Sequence, residues 1–142
     1  MKGIALAVIS ALLWGIAPVF DKLAISDSKV MPIPANMVRC LGAILALVAL
    51  AFLTGERSFA AIDAKRALYL VVAGAIAGGV AMVTYYMALN TLGAGKTVPL
   101  TSIYPLFTVI FSVFFLGEKV DLVKVIAGTA LIVCGVVLVM FS

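Results

Sequence analysis

The chain has 142 residues, of which 65% are hydrophobic and 11% are charged, and it contains no histidine. A soluble domain of this length needs far more polar surface to stay dispersed in water, so this composition excludes an ordinary soluble protein. The formal net charge of +4 does not indicate a nucleic-acid partner, because the basic residues cluster at the ends of apolar stretches, where they set membrane orientation.

Five stretches without any charged residue divide the chain, and they contain 18, 16, 29, 21 and 18 residues. A helix needs about 20 mostly apolar residues to cross a hydrocarbon core of roughly 30 Å. The longest stretch is too short for two crossings. The sequence therefore predicts an all-α membrane protein, with five transmembrane helices in a single domain over 1–142. The predicted helices are 3–24, 34–54, 67–90, 97–116 and 122–141.

The first helix is too long for a typical signal-peptide core, and further membrane segments follow it, so we interpret it as a transmembrane helix. An odd number of helices places the two termini on opposite sides of the membrane. Six basic residues fall on the N-terminal side and four on the other, which by a small margin favours a cytoplasmic N-terminus in the inner cell membrane. The six are Lys2, Arg57, Lys65, Arg66, Lys119 and Lys124, and the four are Lys22, Lys29, Arg39 and Lys96.

Polar residues occur near the end of the first helix and the beginning of the second. Trp14 and Asp21 share one face of the first helix, and Pro18 predicts a kink or an early end there because it interrupts backbone hydrogen bonding. In the second helix, Asn36 and Arg39 lie one turn apart. Arg39 either extends toward the lipid headgroups or faces an internal polar cavity, because intramembrane charges usually turn inward.

The third helix contains the small-residue pair Gly74 and Gly78, which is typical of close helix packing. Tyr85, near its far end, is either an interfacial anchor or part of a polar surface. The stretch 90–95 predicts a loop, because an asparagine and two glycines end the helical pattern there.

The fourth helix has hydroxyl groups along one face, in steps of four, three, four and four residues, and we call this set the hydroxyl stripe. Any one of these groups can simply bond back to its own helix, but five on one face favour a polar, pathway-facing surface. Pro105 predicts a kink and leaves the Thr101 carbonyl without its helical partner. Lys96 begins this helix, partly embedded. The hydroxyl stripe is Thr97, Thr101, Tyr104, Thr108 and Ser112.

The fifth helix lacks charged groups beyond its first turn and predicts a packing surface. Gly117 suits a left-handed cap at the end of the fourth helix, and Asp121 suits the N-cap of the fifth. Gly128 and Gly135, seven residues apart, form the first-choice dimer interface. The two cysteines lie in apolar helices without metal or redox spacing, so neither a metal site nor a cofactor is predicted.

Several stretches together resemble one repeat of the EamA family, in the drug/metabolite transporter superfamily. The resemblance covers essentially the whole chain, through the order and spacing of its stretches. They are Leu13-Trp14-Gly15 with Pro18 and Lys22; Arg39; Tyr104-Pro105; Phe115-Leu116-Gly117-Glu118-Lys119; and Gly128-Thr129-Ala130-Leu131-Ile132 with Gly135-Val136.

The resemblance implies a fold that a partner must complete. Family members usually hold two five-helix repeats, which an odd helix number makes inverted, and their substrate binds between the repeats near the bilayer centre. One repeat is present here, so the resemblance implies a homodimer, possibly antiparallel, or a heterodimer with a paralogue. The related small multidrug exporters carry a glutamate within the first helix for proton coupling. This chain departs from that pattern, since its nearest carboxylate is Asp21 at a helix end.

These features predict a membrane transporter of a small metabolite, amino-acid-like or otherwise anionic or amphipathic, that exports it as a dimer by alternating access. Its partners are then that substrate and membrane lipid. The alternatives are a non-transporting membrane subunit that assembles with a partner, which has no need of embedded charges, and a lipid-carrier flippase. An enzyme is not expected, because the sequence holds no nucleophile–base set. The predicted substrate-binding residues are Trp14, Asn36, Arg39, Tyr85, Lys96, Thr101, Tyr104 and Thr108.

Overall fold

A computed structural model describes residues 2–27, 29–56 and 58–141. Within these ranges, five helical segments are long and apolar enough to cross a membrane, which confirms the predicted all-α, five-span architecture. Most of their large apolar side chains are exposed, as helices that face lipid require. We number the segments as first to fifth span: Gly3–Ala24, Pro32–Thr54, Ala64–Leu92, Ala94–Leu116 and Val123–Met140.

The helices that form these spans begin up to three residues before the predicted starts. Asp63 caps the third span, because its Oδ1 accepts from the Arg66 N–H at 2.8 Å, so Lys65 and Arg66 lie in the first turn rather than before it. A helix continues into the headgroup region, where charges are tolerated. The α-helices are α1 Lys2–Ala24, α2 Pro32–Thr54, α3 Ala64–Ala73, α4 Ala81–Leu92, α5 Ala94–Thr101, α6 Tyr104–Phe111 and α7 Leu122–Met140.

Pro18 does not end α1, which continues to Ala24. The helix thus ends at residue 24 as predicted, and of the two alternatives at Pro18 only the kink stays a prediction. A break at this depth would leave backbone groups unsatisfied in lipid, and that costs more than the single bond that proline removes. The continuation matters for the site, because it brings Asp21 into the helix, one turn beyond Pro18.

The third span contains a π-helical segment, Gly74–Val80, between α3 and α4. The predicted loop over 90–95 is wrong, because α4 runs to Leu92 and α5 begins at Ala94. Gly93 alone makes the turn, with a φ of +77° that side chains other than glycine rarely adopt.

The fourth span is not the single helix 97–116 that the sequence predicted. It is divided at Ser102 and Ile103, after α5, and a second π-helical segment, Ser112–Leu116, ends it. The Ser102 N–H donates to both the Val98 and Pro99 carbonyls, at 3.1 and 3.0 Å. Pro105 therefore lies in the first turn of α6, where its missing N–H costs little, and the α-helical pattern is interrupted for two residues before it while one span continues from Ala94 to Leu116.

The turn between the fourth and fifth spans confirms two predicted caps. Gly117 has a φ of +67°, in the left-handed region. The Asp121 carboxylate accepts from the Lys124 backbone N–H at 3.2 Å and lies 2.9 Å from the Lys124 ammonium. Both contacts with Lys124 lower the pKa of this carboxyl.

The chain divides into two compact units, Met1–Thr91 and Leu92–Ser142. In the first unit, α1, α2 and the third span meet through polar contacts, made by Asp21, Arg39 and Tyr86 near the ends of their spans and by Asn36 with Gly78 at the middle of the third span. In the second unit, α5 and α6 both pack on α7.

Candidate functional site

Asp21 is an acidic side chain that the first unit holds inside the first span. Only 12% of its side chain is exposed. The Tyr86 hydroxyl donates a hydrogen bond of 2.7 Å to Asp21 Oδ1, and Tyr86 itself is 2% exposed. A charge-assisted hydrogen bond from a buried donor fixes the carboxylate in place.

Arg39 approaches the same carboxylate from α2. Its Nε lies 3.6 Å from Asp21 Oδ1, and 40% of the Arg39 side chain remains exposed. The guanidinium thus turns toward α1 and a carboxylate that lies within the span. We call Asp21, Arg39 and Tyr86 the acid–base cluster. Its members come from the end of the first span, the beginning of the second and the end of the third. Because successive spans cross the membrane in opposite directions, these three positions lie on the same side of it.

Asn36 lies one helical turn before Arg39 and is buried, with 6% exposure. Its Nδ2 donates to the Gly78 carbonyl at 2.7 Å, within the π-helical segment. π-Helical turns are frequent at functional sites. The contact orients the amide, so Oδ1 points away from Gly78, and this enclosed acceptor has no hydrogen-bond partner among the described residues. Asn36 and Arg39 therefore offer an acceptor and a donor three residues apart on one helix.

Tyr85 is half-buried, and its ring meets the Tyr86 ring edge-on, with centroids 6.2 Å apart. Its hydroxyl is enclosed and lacks a hydrogen-bond partner within the described ranges. A tyrosine that anchors a helix at the interface presents its hydroxyl to water, so this geometry favours the alternative of a polar internal surface. Trp14, by contrast, is 67% exposed.

Two lysines bind the carbonyl ends of helices. The Lys22 ammonium donates to the Leu89 carbonyl at 3.1 Å, near the end of α4. In the second unit, the Lys96 ammonium donates to the Met140 carbonyl at 3.2 Å, where α7 ends. Cations stabilise the negative end of a helix dipole and satisfy its unpaired carbonyls. Lys96, which the sequence predicted as a substrate ligand, thus has a structural contact.

The hydroxyl stripe bonds largely to its own span. Thr101, Thr108 and Ser112 each donate to a carbonyl three or four residues earlier, at 2.9, 3.2 and 3.1 Å. Tyr104 is exposed. Thr97 differs, because it is buried and its Oγ1 has no partner among the residues that the structure describes.

The first unit also has an apolar groove of about 220 Å³ between the beginning of α2 and α4. It presents no charged or hydrogen-bonding side chain, so it offers no contact for a polar group. The lining residues are Met31, Pro32, Ile33, Val83 and Met87.

The model of the EamA-like transporter family matches residues 1–141. The chain belongs to this family. This EamA-like protein is also similar to a Sinorhizobium protein named "uncharacterized transporter in cobO 3'region", with 28% identity over 133 residues, which are 93% of this chain and 92% of that protein. Family membership and the name of this relative support a multi-pass membrane transporter, and proteins of this family are generally not enzymes.

Sequence reasoning identified Asn36 and Arg39 as site candidates and missed the acid–base cluster. It placed Asp21 at a helix end and passed over Tyr86. The sequence did contain a signal for the cluster, because Asp21 and Arg39 lie on either side of the short connection between the first and second spans. Adjacent antiparallel helices bring such residues to the same depth, where opposite charges must pair to lie in a membrane.

Proposed function

We propose that this EamA-like protein exports a small solute that carries a carboxylate, such as an amino acid or another anionic or amphipathic metabolite. The observation that carries the proposal is the Arg39 guanidinium, which lies within the second span and is partly open rather than closed on Asp21. Arginine presents several donors in a planar fork that matches a carboxylate. A positive donor at this depth marks a pathway for a complementary solute.

Asn36 supports an amino-acid-like solute over a simple anion. Its enclosed Oδ1 accepts hydrogen bonds and has no partner among the described residues, so it suits the ammonium or hydroxyl group of a solute. Arg39, one turn away on the same helix, suits the carboxylate of that solute. A molecule with a donor and a carboxylate a few ångströms apart satisfies both groups at once.

Aromatic side chains supply the apolar contacts of such a site. Tyr85 neighbours Tyr86 of the acid–base cluster, and Trp14 lies two helical turns before Asp21 on the same face of α1. Both suit the side chain of an amphipathic solute. Solute contacts from Lys96, Thr101, Tyr104 and Thr108 stay a prediction that rests on the sequence.

The test is transport by purified protein in proteoliposomes, with thermal stabilisation by amino acids, dicarboxylates and phosphate esters used to choose the solutes. Ligand binding to the folded state raises apparent stability. Arg39→Ala should abolish both stabilisation and transport. Arg66→Ala is the matched control, because Arg66 also pairs with an aspartate, Asp63, but both side chains are more than 60% exposed. If Arg39→Ala transports as well as the wild type, or if no solute in these classes is bound or moved, the proposal is wrong.

We propose further that a second copy of the chain completes the pathway. Alternating access works between two repeats that enclose a site at their interface, and this chain supplies one such repeat of five helices. Gly128 and Gly135 of α7 suit the contact, since a Cβ added at either position would meet no atom within 4 Å. That leaves room for the close backbone approach by which membrane helices associate.

Replacing Gly128 and Gly135 together by leucine should weaken the dimer, because the new side chains hold the two α7 helices apart. Sedimentation in detergent and crosslinking in lipid measure the change. Gly42→Leu is the control, since Gly42 is equally open but lies on α2. An unchanged dimer in the double variant excludes α7 as the interface. If the wild type transports solute as a monomer in lipid, the shared pathway is refuted. If the chain pairs only with a co-expressed paralogue, the assembly is a heterodimer and not a homodimer.

We propose that the N-terminus lies in the cytoplasm and the protein in the inner cell membrane, in accord with the six-to-four distribution of basic residues. Cysteines introduced at Lys2 and Glu118, in a background with Cys40→Ala and Cys134→Ala, should be labelled only from the cytoplasmic side if all copies share one orientation. Labelling of each position from both sides would instead indicate the antiparallel homodimer. Labelling only from outside would refute the assigned orientation.

A further inference from the structure

The two contacts that Asp21 makes differ in kind. The Tyr86 hydroxyl is 2.7 Å from Asp21 Oδ1, whereas the Arg39 Nε is 3.6 Å from the same atom. Charge-assisted N–H to carboxylate bonds usually measure about 2.7–2.9 Å, so the arginine is paired electrostatically without a tight bond. The carboxylate is fixed and buried, and the guanidinium is the part that is free to move.

Two surface pairs in the same protein lie on either side of this spacing, and the wider one is the exposed pair of Arg66 and Asp63, at 3.9 Å. Lys124 and Asp121 approach to 2.9 Å although their side chains are largely exposed to solvent. Attraction is stronger away from water, and by that reason alone the interior pair should be the closer one. The Tyr86 hydrogen bond explains the difference, because Tyr86 holds the oxygen that Arg39 shares.

We propose that Asp21 is an internal competitor of the solute, so that its carboxylate pairs with Arg39 in the empty transporter and the solute carboxylate displaces it. This inference rests on the proposed function, since it concerns the same arginine. It assigns a specificity role to a residue on α1 and a positioning role to Tyr86, which holds Asp21 back from a full bond with Arg39.

The exchange keeps Arg39 paired with a carboxylate in both states of the site. Without solute, Asp21 compensates the Arg39 charge, which would otherwise be costly inside the membrane. With solute, the incoming carboxylate takes over that contact, Asp21 keeps its hydrogen bond from Tyr86, and the ammonium of an amino-acid-like solute supplies the compensating positive charge. Solute release is then assisted because Arg39 returns to Asp21. The apparent affinity of Arg39 for a carboxylate is reduced in proportion to the time that Asp21 occupies it.

Two substitutions should act in opposite directions. Asp21→Asn removes the competing charge, and its side chain can still accept the hydrogen bond from Tyr86, so Arg39 becomes more available to a carboxylate. If Arg39 is free only about a tenth of the time in the wild type, a carboxylate should bind this variant about tenfold more tightly. Tyr86→Phe releases the Asp21 carboxylate to close on Arg39, so Arg39 becomes less available. A loss of folding or packing would move both variants in the same direction.

The experiment measures the availability of Arg39 without knowledge of the natural solute. In an Arg57→Lys, Arg66→Lys background, Arg39 is the only arginine in the sequence, and its reaction with phenylglyoxal in reconstituted protein can be followed by intact mass spectrometry. Acetate is the probe for the carboxylate, and its protection constant reports affinity. We expect faster modification and tighter acetate protection in Asp21→Asn, slower modification in Tyr86→Phe, and no change in Asp63→Asn, the exposed control.

Equal reactivity in wild type and Asp21→Asn, or a change of the same sign in both variants, would overturn the competitor role whatever the transport assays show. Absence of any solute binding or transport by the wild type would overturn the proposed function itself. In the transport assay, Asp21→Asn should lower KM and kcat together, because tighter binding also slows release. A fall in kcat with unchanged KM would contradict the exchange.

Discussion

The acid–base cluster and the hydroxyl stripe are both polar regions within the spans, and they differ in where their polar contacts go. Asp21, Arg39 and Tyr86 come from three spans, and Arg39 and Tyr86 both contact Asp21. Thr101, Thr108 and Ser112 bond to carbonyls of their own span. The acid–base cluster links three spans, whereas most hydroxyl groups of the hydroxyl stripe form hydrogen bonds within their own span.

This difference follows from what each group can do alone in a membrane. A hydroxyl has a carbonyl of its own helix within reach and needs no partner from elsewhere. A carboxylate or a guanidinium has no such local solution, so it requires an opposite charge or a donor from another segment. A periodic row of hydroxyls is therefore weaker evidence for a polar surface than two opposite charges at the same depth.

The largest effect should separate the two regions in transport. We expect Arg39→Ala to lower the transport rate at least about tenfold, because it removes the donor that matches a solute carboxylate. A triple variant of the stripe, Thr101→Val, Thr108→Val and Ser112→Ala, should stay within about threefold of wild type, since these hydroxyls already bond to carbonyls. Initial uptake rates in proteoliposomes, normalised to inserted protein, give both values. Equal losses in the two variants would end the distinction between the regions.

Stability should show a second and smaller contrast, between two tyrosines. Tyr86→Phe should reduce the free energy of unfolding by about 1.5 kcal/mol, because a buried carboxylate loses its short hydrogen bond. Tyr104→Phe is the matched control and should have almost no effect, since Tyr104 is exposed and no hydrogen bond from its hydroxyl is observed within the described residues. Reversible unfolding with SDS in mixed micelles measures both. A cost for Tyr104→Phe as large as that for Tyr86→Phe would show that the stripe also depends on tertiary contacts.

The sequence predicted the five spans and two of the caps because these depend on local features: an apolar length, a glycine before a turn and an aspartate before a helix. It overestimated the length of the 90–95 loop, because lipid penalises open backbone more than local propensity does. The interruption at Ser102 arises because Pro105 lacks a backbone N–H and is tolerated best in the first turn of a helix, so a new helix begins at Tyr104. The acid–base cluster depends on contacts between helices, and no periodicity within one helix encodes a contact with Tyr86.

Asn36→Ala should have a still smaller effect on stability, about 0.6 kcal/mol, which is the average for hydrogen bonds between membrane helices. The lost contact is the bond from Asn36 to the Gly78 carbonyl. Asn36→Asp is the informative companion in transport, because it keeps an acceptor where Oδ1 lies but loses the donor to Gly78. If Oδ1 receives a solute donor, Asn36→Asp should retain more transport than Asn36→Ala. The reverse order would restrict Asn36 to a structural role.

The smallest expected effect concerns Thr97, whose buried hydroxyl lacks a hydrogen-bond partner among the described residues. Valine has nearly the same shape without the hydroxyl. If that hydroxyl is unpaired in the working protein, Thr97→Val removes a polar group that is costly to bury and should leave the free energy of unfolding unchanged or raise it by up to about 1 kcal/mol. Thr101→Val, which loses a bond to its own helix, is the control. A clear loss of stability or transport in Thr97→Val alone would mean that another polar group meets this hydroxyl, and the stripe would then share the interhelical character of the acid–base cluster.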